Sequence, residues 1–213
     1  LGGHQFLEAF EKEFSPYSLN VLWDNIPATK LGGGTYAAYA NVVGEHYIVL
    51  NAFHPYQLEP YYDPRNVIVI FEGLTQTPWA DLRQKMVGAT KPAQAAEHSL
   101  RHDFLQREAE LGMTDVSPRA NGVHLSAGPL EGMVELARFL ADHENGADEA
   151  GLDTCFGQLL GRKGIDDAII AEMAKNPEWE LNGEIQSTFD MTEEMDAEAA
   201  AAKLAEAAAA CRS

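Results

Sequence analysis

The chain has 213 residues, 46% of them hydrophobic, which is enough to bury one sizeable core. Its 33 acidic and 15 basic residues give a formal net charge of −18, which argues against a general binder of nucleic acid or anionic membranes. Two cysteines, Cys155 and Cys211, are too few for a disulfide framework or a zinc site, and no apolar run approaches the ~20 residues that span a bilayer. We therefore expect a soluble protein of a reducing compartment, whether cytoplasmic, organellar or cytoskeletal.

Residues 1–45 are predicted to form an irregular N-terminal segment. An acidic amphipathic stretch is followed by Pro- and Gly-rich chain that includes three consecutive glycines, Gly32–Gly34. Three glycines suit a phosphate loop, but Lys30 precedes them and no Gly-Lys-Ser/Thr follows, so a flexible or tightly turned connection is favoured. The first residues resemble neither a start nor a signal peptide, and we expect the chain to begin within a longer gene product.

Residues 46–142 are predicted to form an α/β domain. Runs of β-branched and aromatic residues predict strands at Tyr47–Phe53 and Val67–Phe71, and the second is typical of a buried central strand because all five residues are apolar. Strands that alternate with helices, without long repeated βαβ units, favour a compact α/β sandwich. The other predicted elements are a helix after Pro78, a helix at 99–111, a short strand at 123–125 and a helix at 130–141.

Residues 143–213 are predicted to be an acidic, mainly helical C-terminal extension. Helices are expected around Phe156–Leu160 and over Ile165–Met173, followed by a short strand at Glu178–Leu181. An alanine-rich helix is expected from Asp190 to Arg212, with Asp190 or Thr192 as its N-cap. Alanine forms helices but buries little surface, so a solvated or partner-docked tail is favoured.

Four motifs follow one another in the middle region of the chain, at Phe71–Leu74, Leu82–Pro92, Ser99–Phe104 and Asn121–Ser126. They resemble, in the same order, four motifs of the nucleoside diphosphate kinases. That family has a strand ending in Glu-Gly-Leu, a turn of the form Arg…Gly-x-Thr-Asn-Pro, a segment Ser/Thr-Ile-Arg-Gly-Asp-Phe and the motif Asn-x-x-His-Gly-Ser. Residues 66–141 therefore resemble a divergent nucleoside-diphosphate-kinase-like protein.

The resemblance implies a ferredoxin-like α/β sandwich with an antiparallel sheet, carrying the helical C-terminal extension. It also implies phosphoryl transfer from a nucleoside triphosphate to a nucleoside diphosphate through a phosphohistidine. His124 matches the histidine that takes the phosphoryl group, Glu135 the carboxylate that orients the imidazole, and Ser126 the neighbouring hydroxyl. Imidazole attacks phosphorus when one ring nitrogen is free and an acceptor holds the other, which suits these residue types.

The same resemblance implies the contacts to the nucleotide. Arg83 and Arg101 match phosphate ligands, since guanidinium groups suit phosphate oxygens. Thr90 would donate its hydroxyl to the phosphates, and Asn121 would contact the ribose. Mg²⁺ is implied together with the bound nucleotide rather than in a protein-made metal site. The implied partners are nucleoside di- and triphosphates; protein partners or a homo-oligomer stay open, and neither nucleic acid nor membrane insertion is expected.

The chain departs from the family pattern at several places. The Lys-Pro-Asp loop that follows the family's first strand has no counterpart, so it lies upstream of Leu1 or is lost. Arg83 stands seven residues before Thr90, where family members have six, and Leu125 replaces the small residue beside the histidine. The alternative to an active kinase is therefore a catalytically inactive nucleoside-diphosphate-kinase-like subunit of a larger protein assembly.

Two further groups carry weaker signals. His98 and His102 are four residues apart on a predicted helix, with Asp103 adjacent, but no third ligand follows at the spacing of a metal site. An exposed helix of mixed polarity is favoured there, and no metal site is predicted. Cys155 has no histidine near it in sequence, so it is predicted to be a buried small residue rather than a nucleophile.

Overall fold

The fold is that of a computed structural model, which describes residues 1–32, 34–140 and 150–210. Within these ranges the protein is mixed α/β, with ten α-helices and two small antiparallel sheets. The chain divides into two compact units, Leu1–Val69 and Ile70–Ser213. None of the helices in the described ranges combines the length and apolar character that a membrane span requires.

A three-stranded sheet and three helices make up the first unit. The strands β1 (Ala28–Gly32), β2 (Thr35–Val42) and β3 (Glu45–Leu50) pair antiparallel in that order. Val43 and Gly44 join β2 to β3, and both have positive φ angles, 53° and 84°, as a two-residue hairpin turn of type I′ requires. The helices are α1 (Gly3–Ala9), α2 (Pro16–Asp24) and α3 (His54–Tyr62).

The core of the first unit lies on one face of this sheet. Side chains alternate along β2, so Ala38, Ala40 and Val42 are buried, whereas Tyr39 and Asn41 between them are exposed. The sheet thus has one covered face and one open face, a common arrangement for antiparallel strands. The other buried residues of this core are Phe6, Leu19, Trp23, Val49 and Ala52.

The sequence predicts that the first 45 residues are irregular, and this prediction is wrong. They form α1, α2, β1 and β2. Ser15 caps α2 by accepting a hydrogen bond from Ser18 N at 3.2 Å, and Pro16 occupies the first helical position. The predicted boundary at residues 45 and 46 would separate β2 from its partner β3, so it does not coincide with the boundary between the units. Small alanines at the buried positions of β2 weaken the alternation by which a strand is identified.

The glycine-rich stretch connects β1 to β2. Gly34 has a φ of 64°, and Asn51 holds it by donating from Nδ2 to Gly34 O at 3.0 Å and accepting from Tyr36 N at 2.8 Å. Gly33 lies outside the described residues. Asn51 itself has a φ of 45°, which ends β3 at Leu50, three residues before the predicted end of that strand.

Residues 67–71 do not form the buried central strand that their sequence predicts. Their side chains are 43–87% exposed, and no strand of the described ranges pairs with them. Residues 123–125 likewise form no strand. A strand persists only where a neighbour takes up its amide and carbonyl groups, and an apolar sequence cannot supply that neighbour. Both predictions are therefore wrong for this structure because the partner strand is missing from the described chain.

The second unit is mainly helical. Helix α4 (Trp79–Asp81) runs directly into a π-helix, Leu82–Val87, in which Gly88 N donates to Arg83 O at 2.9 Å. A hydrogen-bonded turn of a π-helix encloses one residue more than a turn of an α-helix. The remaining elements are a 3₁₀ turn (Pro92–Gln94), α5 (Leu100–Gln106), α6 (Pro129–Leu140), α7 (Cys155–Arg162), α8 (Asp167–Met173), β4 (Glu178–Leu181), β5 (Glu184–Ser187), α9 (Thr188–Met191) and α10 (Ala197–Ala210).

Several predicted elements of this unit are present with shifted ends. The strand predicted at Glu178–Leu181 is confirmed as β4, which pairs antiparallel with β5. Helix α5 stops at Gln106 rather than at Leu111, and α6 covers the predicted helix as far as Leu140, beyond which Ala141 is outside the described residues.

Helix α10 is a core element and not the solvated tail that its composition predicts. Ala200, Ala201 and Leu204 are fully buried, in one cluster with residues of α6, α7 and α8. Alanine suits this position because its small side chain lets neighbouring helices approach closely. The helix begins at Ala197, so neither Asp190 nor Thr192 is its N-cap, and Cys211 and Arg212 lie outside the described residues. This shared core also spans the predicted boundary at residues 142 and 143.

We expect Leu204→Ala to lower the free energy of unfolding of the second unit by about 2–5 kcal/mol, because it leaves a cavity in the core between α6, α7 and α10. Urea unfolding in a Trp23→Phe background, followed by tryptophan fluorescence, then reports on Trp79 and Trp179 alone. The matched control is Leu111→Ala, at a side chain that is 42% exposed, with an expected change of about 0.5 kcal/mol or less. Equal effects of the two substitutions would contradict a core role for α10.

Candidate active site

Glu135, on α6 of the second unit, accepts hydrogen bonds from two side chains. His124 Nε2 lies 2.6 Å from Glu135 Oε1, and Ser126 Oγ donates to Glu135 Oε2 at 2.5 Å. Both carboxylate oxygens are therefore occupied, one by the imidazole and one by the hydroxyl. Glu135 lies in the middle of α6, whose buried face includes Met133 and Val134, so a packed helix fixes the carboxylate.

The other ring nitrogen of His124 is open. Across the described ranges Nδ1 has no hydrogen-bond partner, and the side chain is 66% exposed. Glu135 can accept a hydrogen bond only from a protonated Nε2, which leaves the lone pair of a neutral imidazole on Nδ1. This geometry presents a nucleophilic nitrogen to solvent, with its tautomer set from the opposite side of the ring.

The hydrogen bond from Glu135 raises the pKa of His124 above its ordinary value of 6.5. Burial opposes this rise, the charges of Glu135 and Glu131 add to it, and the charge of Arg101 lowers it. Partial burial by itself would raise the pKa of Glu135, but the hydrogen bonds from His124 and Ser126 outweigh burial, so this pKa is lowered. The two shifts therefore widen the pH range over which the imidazolium and the carboxylate are charged at the same time.

Hydrogen bonds at Ser126 and Ala127 hold the loop from Ser126 to Gly128. Trp79 Nε1 donates to Ser126 O at 2.9 Å, and Ala127 N donates to the carboxylate of Glu131, in the first turn of α6. Neither Trp79 nor Glu131 is among the site residues that the sequence predicts. The only sequence signal for Glu131 is its place shortly after Pro129, where a side chain can reach back to the amide groups before a helix.

Arg101 ties together the backbone on either side of the site. Its Nη1 donates to Gly88 O and its Nη2 to Val123 O, both at 2.8 Å, while the buried Nε has no hydrogen-bond partner among the residues that the structure describes. Burial lowers the pKa of Arg101, and the charge of Arg83 adds to this effect. Since Val123 precedes His124, Arg101 holds the segment that carries the histidine and also places a positive charge near it.

Arg83 is paired with acidic residues of the C-terminal region. Its Nη2 lies 3.3 Å from Glu193 Oε1 and its Nε 3.5 Å from Glu194 Oε1. The neighbouring Gln84 donates to Glu194 Oε2 at 3.0 Å. A cation that was predicted to bind phosphate therefore has carboxylates as its partners in this structure.

Asn121 and Thr90 are near each other but only weakly connected. Asn121 Nδ2 lies 3.4 Å from Thr90 O and 3.4 Å from Pro118 O, and Val123 N lies 3.4 Å from Asn121 Oδ1. These distances are at the long limit for hydrogen bonds. The Thr90 side chain is exposed. The structure thus brings His124, Ser126 and Glu135 into direct contact. The four predicted nucleotide ligands are connected to this group through backbone hydrogen bonds and through their charge.

The two weaker signals in the sequence are the histidine pair with Asp103 and the cysteine Cys155. His102 Nδ1 lies 3.4 Å from Asp103 Oδ1, and the described ranges hold no group of three or more His, Cys, Asp and Glu residues that could bind a metal ion. Cys155 is exposed and not buried, because Thr154 caps α7 and places Cys155 on the open side of its first turn.

No protein-family profile, curated protein or solved structure matches the chain. The geometry of this site and the motifs that form it are therefore the basis on which a function can be inferred.

We expect the pKa of His124 to lie above 6.5 and to fall in Glu135→Gln, which weakens the hydrogen bond that raises it. Stability from the imidazolium is present below pH 6.5 and is lost as the pH rises through the higher folded pKa. Stability from the Glu135 carboxylate is present above pH 4.5 and is lost as the pH falls through its lowered folded pKa. Histidine proton NMR titration measures the first pKa, with His124→Gln to assign the signal.

Glu131→Gln is the matched control for this titration. It removes a carboxylate that acts on His124 through its charge alone, so it should lower the pKa of His124 by less than Glu135→Gln does. Equal pKa values of His124 in the wild type and in Glu135→Gln would show that the hydrogen bond does not govern the imidazole.

Proposed function

We propose that this chain is a nucleoside-diphosphate-kinase-like phosphotransferase, in which His124 carries a phosphoryl group from a nucleoside triphosphate to a nucleoside diphosphate. The observation that carries the proposal is the pairing of His124 Nε2 with Glu135 at 2.6 Å, together with the open Nδ1. The motifs around this pair are those that resemble the nucleoside diphosphate kinase family, and they supply the substrate class.

The chemistry follows from this pairing. The lone pair of Nδ1 attacks the γ-phosphorus, a nitrogen–phosphorus bond forms, and the bond from the γ-phosphorus to the bridging oxygen breaks to release the diphosphate. Nε2 keeps its proton, and the carboxylate of Glu135 stabilises the positive charge that develops on the ring. The second half-reaction reverses these steps with another nucleoside diphosphate as the acceptor. Ser126 holds the second oxygen of Glu135 and so fixes the carboxylate in its plane.

Phosphate binding in this proposal depends on Arg101, on Arg83 and on the π-helix that contains Arg83. Phosphoryl transfer requires positioning and positive charge more than covalent help from the protein. Arg101 supplies a fixed charge near His124, and Arg83 supplies a second guanidinium next to it. The π-helix that contains Arg83 accommodates one extra residue, which accounts for its unusual spacing of seven residues from Thr90.

Mg²⁺ belongs to this proposal as an ion that arrives with the nucleotide. The predicted phosphate ligands carry guanidinium and hydroxyl groups, which suit phosphate oxygens rather than a cation, and the carboxylate of Glu135 is already bound to His124 and Ser126. When bound, Mg²⁺ would neutralise charge on the nucleotide phosphates. The residues of this chain would hold the phosphate oxygens that remain, through Arg83, Arg101 and Thr90.

The proposed family implies a ferredoxin-like sandwich, and this finer fold is part of the proposal. The motifs and the His124–Glu135 pair support it. Residues 67–71 and 123–125 form no strands in this structure and so do not contribute to that support.

An inactive subunit of a larger assembly is the second candidate, and specific contacts favour it. Arg83 is paired with Glu193 and Glu194, while Arg101 donates to two backbone carbonyls, so neither guanidinium is free in this structure. On this reading the His124–Glu135 pair stabilises the loop before α6 and performs no chemistry.

We expect the full chain, incubated with γ-labelled ATP and Mg²⁺, to gain a label that is labile in acid and stable in base, as a phosphohistidine is. His124→Ala should abolish the label, and Glu135→Gln should slow its appearance about tenfold or more because the imidazolium loses its anionic partner. Quench-flow labelling with electrophoresis under alkaline conditions measures both effects.

His98→Ala is the matched control, since it removes an exposed histidine of the same unit and should label like the wild type. Absence of label on the wild type, where a known phosphohistidine enzyme labels, would reject the phosphotransferase and favour the inactive subunit. Label that survives His124→Ala would reject this nucleophile.

A further inference from the structure

The five residues between α9 and α10, Thr192–Asp196, form a segment that we call the acidic strap. It contains Glu193, Glu194 and Asp196, and it connects two helices of the second unit. The helix that the sequence predicts from Asp190 to Arg212 would include these five residues. In the structure they turn toward the candidate active site.

The strap is anchored to the loop that carries Ser126. Thr192 is fully buried, and Glu194 N donates to Ala127 O at 2.9 Å. A Cβ at Gly128 would lie 2.4 Å from Thr192 O, so only glycine permits this approach. Glu194 has a φ of 57°, a conformation that costs free energy for a residue other than glycine. These contacts therefore hold the strap in a turn that it would not adopt alone.

A second set of contacts joins the strap to the segment around Arg83. Trp79 N donates to Asp196 Oδ1 at 2.8 Å, and Arg83 pairs with Glu193 at 3.3 Å and with Glu194 at 3.5 Å. Trp79 also donates from its indole to Ser126 O, so one residue contacts both the strap and the histidine loop. The strap thus bridges the His124 loop and the proposed phosphate ligand.

We infer that the acidic strap is an autoinhibitory contact, in which Glu193 and Glu194 occupy Arg83 in place of the phosphates of a nucleotide. This inference rests on the proposed function, because that proposal makes Arg83 a phosphate ligand. Carboxylate and phosphate oxygens compete for the same guanidinium donors, so the strap and a phosphate chain exclude each other at Arg83.

The ion pairs to Arg83 are suited to release, whereas the backbone of the strap is anchored. Both ion pairs exceed 3 Å, and their side chains are partly exposed, so each pair contributes little free energy. Two such pairs should weaken phosphate binding by about three- to tenfold in total. Rotation of the two glutamate side chains would free Arg83 for a phosphate chain while Thr192 stays buried and α10 stays folded.

The test compares pyrophosphate binding to full-length variants by isothermal titration calorimetry. The double variant Glu193→Gln with Glu194→Gln should bind pyrophosphate about three- to tenfold more tightly than the wild type. The matched control is Glu178→Gln with Glu180→Gln, which removes two exposed carboxylates of β4 and the same total charge, and should bind like the wild type. Adding Arg83→Gln to the first double variant should abolish the gain.

A second variant guards against a loss of folding. Glu193→Gln alone keeps the contacts of Glu194 with Gln84 and Ala127 and should give part of the gain. Circular dichroism confirms that each variant is folded. An equal gain in the control variant, a gain that persists without Arg83, or no pyrophosphate binding by any protein would each overturn the inference.

Phosphohistidine labelling of the same variants separates this inference from the proposed function. Tighter pyrophosphate binding in the strap variant without any label would support the strap and reject the phosphotransferase. Label on the wild type with no effect of the strap substitutions on binding would support the phosphotransferase and overturn the strap.

Discussion

The carboxylate of Glu135 accepts hydrogen bonds from His124 and Ser126, and the rest of the site depends on this shared acceptor. One oxygen selects the ring nitrogen that is protonated, and the other fixes the hydroxyl two residues further along the chain. Removal of the carboxylate would free the imidazole to rotate and would leave the Ser126 hydroxyl without its acceptor. One hydrogen bond therefore determines both the orientation of the imidazole and its charge, because the bond that orients the ring also raises the pKa of His124.

The position of Glu135 is in turn a consequence of packing. Leu130, Met133 and Val134 bury one face of α6 against the core that α7, α8 and α10 complete. His124 and Ser126 lie on a loop, whereas their shared acceptor, Glu135, lies on a helix that cannot move without opening this core. The alanine-rich α10 thus contributes to the site through packing, because it helps to hold the helix that carries Glu135.

The directly bonded part of the site could be predicted from the sequence because it is local. His124, Ser126 and Glu135 lie within twelve residues, and the motif together with a helix after Pro129 brings them together. The pairing of Arg83 with Glu193 joins residues 110 positions apart, and no local pattern indicates it. The same limit explains the fold. Hydrophobic runs indicated where strands could form, but a strand requires a partner, and residues 67–71 have none in the described chain.

The exposed run Val67–Phe71 has a consequence for the behaviour of this chain at high concentration. Its amide and carbonyl groups have no strand partner among the described residues, and its side chains are β-branched or aromatic, so two chains that meet there can adhere. The net charge of −18 opposes such encounters by repulsion between copies. That repulsion is screened beyond about 8 Å at physiological ionic strength. Colloidal stability of this protein is therefore a matter of salt concentration as much as of folding.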